Sequence, residues 1–136
     1  MVFTMRRRPH LLLLALLASA LVAPWARAAE AAGQKFPDVL SAKVQARTSE
    51  RFDLDVTISS PYDTAQRYAD AFRVMHKDGS VYGQRLLLHD HAGEQPFTRD
   101  LYGVKVPRGV RVIVIQGRDQ QHGWGGKTIE VALPGR

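Results

Sequence analysis

The stretch Ala69-Asp70-Ala71-Phe72-Arg73-Val74-Met75-His76-Lys77-Asp78-Gly79-Ser80-Val81 decides the fold class. Its apolar residues admit two readings. Tyr68, Phe72 and Met75 fall at helical spacing, whereas Phe72, Val74 and His76 alternate as in a strand. The segment Lys77-Asp78-Gly79-Ser80 breaks the tie. An Asp-Gly pair between apolar runs signals a hairpin turn, because glycine accepts positive φ without a Cβ clash. A hairpin needs a strand on each side. Residues 69–76 and 81–88 therefore both become strands, and no long helix is left in the chain.

Period two dominates on either side of this hairpin. Leu40, Ala42, Val44 and Ala46 alternate with Ser41, Lys43 and Gln45, which predicts a strand with Leu40 on its inward face. Phe52, Leu54, Val56 and Ile58 alternate with Asp53, Asp55 and Thr57, giving an apolar inner and an acidic outer face. Phe97, Arg99 and Leu101 predict a short strand stopped by a turn at Gly103. The β-branched run Val110 to Ile115 suits a central strand. Gly117 to Gly126 contains Gly117, Gly123, Gly125 and Gly126 and is predicted as a long loop, with Thr128 to Leu133 as the last strand. About seven short strands between turns imply an all-β chain: a small antiparallel β-sandwich, with a closed barrel as the alternative. The run Leu101-Tyr102-Gly103-Val104-Lys105-Val106-Pro107-Arg108-Gly109-Val110-Arg111-Val112-Ile113-Val114 resembles the E-strand, turn and F-strand passage of fibronectin-III-like and immunoglobulin-like modules. That resemblance implies an immunoglobulin-like architecture and carries over no site residue.

The beginning of the chain reads differently. Arg6, Arg7 and Arg8 precede an uncharged apolar run from Leu11 to Val22, and Ala26-Arg27-Ala28 supplies small residues ahead of Ala29. This is the layout of a secretory signal peptide over residues 1–28. The apolar run is shorter than the ~20 residues of a membrane span. The expected organisation is a signal peptide at 1–28, a flexible leader at 29–37 and a β-sandwich domain at 38–136. Periplasmic or secreted location follows, with no stable membrane span after cleavage.

Export also reinterprets the charge. The 136 residues carry 19 Lys+Arg against 13 Asp+Glu, a net of +6. Four arginines (Arg6, Arg7, Arg8 and Arg27) and no acid lie in residues 1–28, which leaves 15 basic and 13 acidic side chains, or +2, beyond the expected cleavage point. Arg47, Arg51, Arg67, Arg73, Lys77 and Arg85 interleave with acids along the sequence, which predicts a solvated surface and no nucleic-acid partner. The sequence has no cysteine, so disulfides, thiolate metal sites and cysteine-linked lipid are excluded within it.

Two segments concentrate polar chemistry. In Leu88-His89-Asp90-His91-Ala92-Gly93-Glu94-Gln95-Pro96-Phe97-Thr98-Arg99, a His-x-His pair on extended backbone would present both imidazoles on one face. His89, His91 and Glu94 are chemically suited to a divalent transition metal, with His122 or His76 as possible additions. The bland reading is that Asp90 and Glu94 brace a loop and pair with Arg99. In Arg118-Asp119-Gln120-Gln121-His122-Gly123-Trp124-Gly125-Gly126-Lys127-Thr128, Trp124 among glycines suits a flat contact with a sugar or peptide, or folds back over the sandwich edge. The ending Gly126-Lys127-Thr128 is not a phosphate loop, since the required earlier glycine is Gln121.

The sequence therefore predicts an exported, non-catalytic binding or accessory module acting through loops 89–99 and 117–127. Its partner is expected to be a protein or small ligand in the cell envelope, with no cofactor. Candidate binding residues are His89, Asp90, His91, Glu94, Arg99, His122 and Trp124. The alternatives are a metal-binding envelope protein using His89, His91 and Glu94, and a small hydrolase.

Overall fold

A computed structural model describes residues 33–136, and the expected signal peptide lies outside them. Seven strands follow in chain order: β1 (Asp38–Ala46), β2 (Arg51–Ser59), β3 (Ala69–Met75), β4 (Val81–Leu86), β5 (Phe97–Lys105), β6 (Val112–Asp119) and β7 (Gly123–Ala132). They form two sheets with every pairing antiparallel. One sheet has the order β1-β2-β5 and the other β4-β3-β6-β7. The inner faces close on one core containing Phe52, Leu54, Val56 and Ile58 from β2, Phe72 and Val74 from β3, and Ile113 and Ile115 from β6. The alternation legible in β2 thus becomes its packing: all four apolar side chains are at most 1% exposed. Each such burial is worth roughly 1.5–3 kcal/mol relative to an exposed position.

The decisive hairpin forms as expected. His76 N donates to Ser80 O (2.8 Å), Gly79 N donates to His76 O (2.9 Å), and Gly79 holds φ +93°. Asp78 Oδ1 accepts from Ser80 N and stiffens the turn.

Three local expectations are corrected, the first two at an irregularity in a ladder. Leu40 does not face inward. The β1–β2 register slips between Val39 and Ser41, so Val39 takes the buried place and Leu40 is 43% exposed. One extra residue in a ladder flips every side chain beyond it. Gly103 does not end a strand. β5 continues to Lys105, and Gly103, at φ +68°, sits where the β2–β5 register shifts. A glycine in left-handed conformation is what such a bulge uses. Finally, Gly117 to Gly126 is not a long loop. β6 runs to Asp119 and β7 starts at Gly123, leaving only 120–122 as the turn.

The glycines of that hairpin have another role. A Cβ on Gly117 would lie 2.6 Å from Pro37 Cγ, and one on Gly125 would lie 2.6 Å from Phe36 Cδ1. Residues 36–37, at the end of the expected leader, pack across β6 and β7 in the space these glycines leave. Asp38 Oδ1 then accepts from Lys127 N (2.9 Å) and ties β1 to β7.

Candidate functional site

Strand direction decides which loops are neighbours. β2, β4 and β6 run one way and β3, β5 and β7 the other, so the segments 60–68, 87–96 and 120–122 emerge at the same end of the sandwich. The two segments singled out in the sequence therefore share that end, and hydrogen bonds fasten them to the 60–68 loop. Asp63, 4% exposed, accepts from Ala69 N through Oδ1 (3.0 Å) and from His91 N through Oδ2 (3.0 Å). Ser60 N donates to Gln95 Oε1 (2.8 Å), and Gln95 Nε2 donates to His91 O (3.1 Å). Gln120 N donates to Tyr68 O. A buried carboxylate that satisfies two amides is strongly favoured over one left open, so loop 87–96 is held in one shape.

A second buried carboxylate organises the β6–β7 turn. Asp119 is fully buried and accepts from Gln121 N and His122 N at 2.9 Å each, with Arg67 Nε 3.2 Å away. Burial alone would raise its pKa. The two amides, the neighbouring Tyr62 hydroxyl and Arg67 outweigh that and hold it below the usual carboxylate range. Arg67 also donates to Gln34 O and Lys35 O and stacks over Tyr62 at 4.1 Å. Sequence reasoning missed Asp63, Ser60, Gln95 and Asp119. The cue was present, since polar side chains flanking strand ends are the residues that satisfy loop amides.

The predicted residues distribute as follows. His91 is buried and stacks on Phe97 with centroids 3.9 Å apart and planes 10° apart. Its pKa is lowered chiefly by burial and further by the charges of Arg99 and His89, while Asp63 and Glu94 pull the other way. His89 is exposed, lies 4.9 Å from the His91 ring and directs Nδ1 at Asp90 O. Asp90 accepts from Ala92 N within its own turn. Glu94 pairs with Arg99 at 3.0 Å, and that bond is the main reason its pKa is lowered. His89 and His91 are thus adjacent, whereas Glu94 turns to Arg99. Among the described residues no group of three or more His, Asp or Glu side chains is placed to hold a metal ion. His76 lies in the β3–β4 turn, at the other end. His122 is exposed and meets Phe36 edge-on at 6.2 Å. Trp124 lies half-buried on β7 opposite Arg118, with the Arg73 guanidinium 4.2 Å and that of Arg118 5.2 Å from its ring. Arginine therefore stacks on the ring that the sequence offered to a sugar or peptide.

The most distinctive surface is a groove where β4 leads into loop 87–96. It has a volume of about 350 Å³ and is lined by Arg85, Leu86, Leu87, Leu88, His89, His91 and Arg99. Leu87 turns into the core, while Leu86 is 52% and Leu88 82% exposed. Two solvent-facing leucines therefore stand beside two guanidinium groups, each paired with a carboxylate just outside the wall, Asp100 for Arg85 and Glu94 for Arg99. Arg85 is steadied by Asp100 (2.7 Å) across the gap between β4 and β5, which are the edge strands of the two sheets.

No family model matches the chain, and no solved structure matches it. A protein of Halomicrobium mukohataei named "Putative lipoprotein" is 34% identical over 94 residues, covering 69% of this chain and 46% of the relative. The chain thus spans less than half the length of that relative. Among the described residues no helix is long and apolar enough to cross a membrane.

Proposed function

We propose that this protein is an exported, non-catalytic binding module of immunoglobulin-like architecture, and that its site is the groove between β4 and loop 87–96. The strand order, with β1-β2-β5 facing β4-β3-β6-β7, supports the architecture. The name of the Halomicrobium relative supports an exported or envelope location. The single observation that carries the site is the exposure of Leu86 and Leu88 beside Arg85 and Arg99. Water-facing leucines next to guanidinium groups that Asp100 and Glu94 hold in place suit an apolar group with a polar, hydrogen-bond-accepting end. The buried groups of the adjoining loop support binding over catalysis, because Asp63 and Gln95 are spent on backbone amides and a carbonyl and the Ser60 hydroxyl meets Gln95 Nε2.

The amphipathic dye anilinonaphthalene sulfonate tests this reading directly. The native protein should bind it saturably with enhanced fluorescence, and Leu86→Ser/Leu88→Ser should weaken binding at least about tenfold, or about 1.4 kcal/mol. Both leucines are solvent-exposed, so the thermal midpoint should barely move. Equal dye binding by both proteins, or none by the wild type, contradicts the assignment.

A further inference from the structure

The opposite end of the sandwich shows a charge pattern hidden by the sequence order. Three segments meet there: the β1–β2 turn with the first residue of β2 (47–51), the passage from the last residue of β5 to 111 (105–111) and the tail 133–136. Hydrogen bonds join them. Val106 N donates to Glu50 O, Leu133 N donates to Arg111 O, and Arg108 Nη2 donates to Ser49 Oγ (3.2 Å). Together they hold six basic side chains (Arg47, Arg51, Lys105, Arg108, Arg111 and Arg136) and one acid, Glu50. The loops at the other end, 60–68, 87–96 and 120–122, hold three acids and one base. The molecule is electrically polar along its strands.

Within the basic end lies a cavity of about 310 Å³ lined by Ser49, Arg108, Gly109, Arg111, Gly135 and Arg136. Arg136 is held in place by four carbonyls: Nη1 donates to Pro107 O and Val110 O, and Nη2 donates to Ser49 O and Val106 O, at 2.6–2.9 Å. Its charge is therefore fixed and paired only with neutral dipoles. Arg108 meets Glu50 at 3.5 Å, while Arg111 and Arg136 have no carboxylate within 4.0 Å among the described residues. We infer that this end holds a binding site for a phosphate-class oxyanion, seated between Arg108, Arg111 and Arg136 beside Ser49. The Nη hydrogens of Arg136 are all taken by carbonyls, so it contributes its charge and its Nε–H, while Arg111 offers the two-pronged guanidinium that matches phosphate oxygens, and a hydroxyl and a glycine turn leave room for close approach. Three guanidinium charges against the single carboxylate of Glu50 suit a doubly charged phosphate ester better than a lone carboxylate. The same chemistry is offered by a soluble phosphorylated compound and by a phospholipid headgroup. This site is separate from the apolar groove and lies at the far pole in space.

Inorganic phosphate is the probe, with chloride at matched ionic strength as reference. Phosphate also favours compact states generally, so variants decide the outcome. Saturating phosphate should raise the unfolding midpoint of the wild type by at least about 4 °C over chloride. Arg108→Gln/Arg111→Gln, two solvent-facing changes, should abolish that rise. Lys43→Gln/Lys127→Gln removes the same charge elsewhere and should retain it. A rise that is absent, equal in all three proteins, or lost equally in both variants overturns the site. Sedimentation with phosphatidylglycerol or phosphatidylcholine vesicles then separates the sources. Capture by phosphatidylglycerol alone, lost in the Arg108→Gln/Arg111→Gln variant, supports a headgroup ligand, and a phosphate effect without capture supports a soluble one.

Discussion

His91 shows how one side chain can carry both a loop's shape and a pH dependence. It is 4% exposed, and its Nδ1 has no hydrogen-bond partner. Protonation would bury a second positive charge near Arg99, so the fold favours the neutral ring. A depressed folded pKa means that the unfolded chain takes up the proton first. The contribution to stability is full above the unfolded histidine value of about 6.5 and is lost as pH falls from there toward the folded value. Denaturant midpoints measured between pH 8 and 5 should decline for the wild type. His91→Phe, which keeps a stacked ring and removes the titration, should show a flatter profile over that range. An unchanged slope would place the acid sensitivity elsewhere. The sequence made His91 a candidate ligand because spacing reveals which residues could share a face. It cannot reveal that Phe97 and Asp63, six and 28 positions away, enclose the ring.

At the scale of elements, the sequence was most legible where one rule acts alone. β2 alternates without interruption, and the Asp78-Gly79 turn needs only local chemistry. Both are present as read. Legibility fails where distant chain supplies the reason. Gly125 resembled loop punctuation until Phe36 was seen lying where its Cβ would be. Gly125→Ala should therefore destabilise by about 1–3 kcal/mol through overpacking. The cost should shrink markedly in a Phe36→Ala background, as a double-mutant cycle in urea would register. The groove was half visible for the same reason. A loop from His89 to Pro96 was located and its polar residues named, but Leu86 and Leu88 were assigned to a regular strand. Their exposure arises because β4 stops at Leu86 on an open sheet edge.

At the scale of the whole molecule, the two buried carboxylates act as rivets for one pole. Asp63 joins the start of β3 to loop 87–96, and replacing it with alanine strands two buried amides at about 1–3 kcal/mol each. Asp63→Ala should lower global stability by that order, and hydrogen exchange at the His91 amide should accelerate more than at Ile113 or Ile115 in β6. Uniform acceleration would instead mean that the loop and core open as one unit. The other pole owes its character to tertiary assembly, since arginines scattered through the sequence become neighbours only when turns 47–51 and 105–111 meet. β1 enters at the riveted pole and β7 finishes at the cationic one, bound together through Asp38 and Lys127. A mechanical load applied between residues 38 and 132 would thus act along the strands, at right angles to the ladder hydrogen bonds. Rupture would have to shear many of them together rather than peel them singly, so this small domain should resist a pull along its strands far better than one across them.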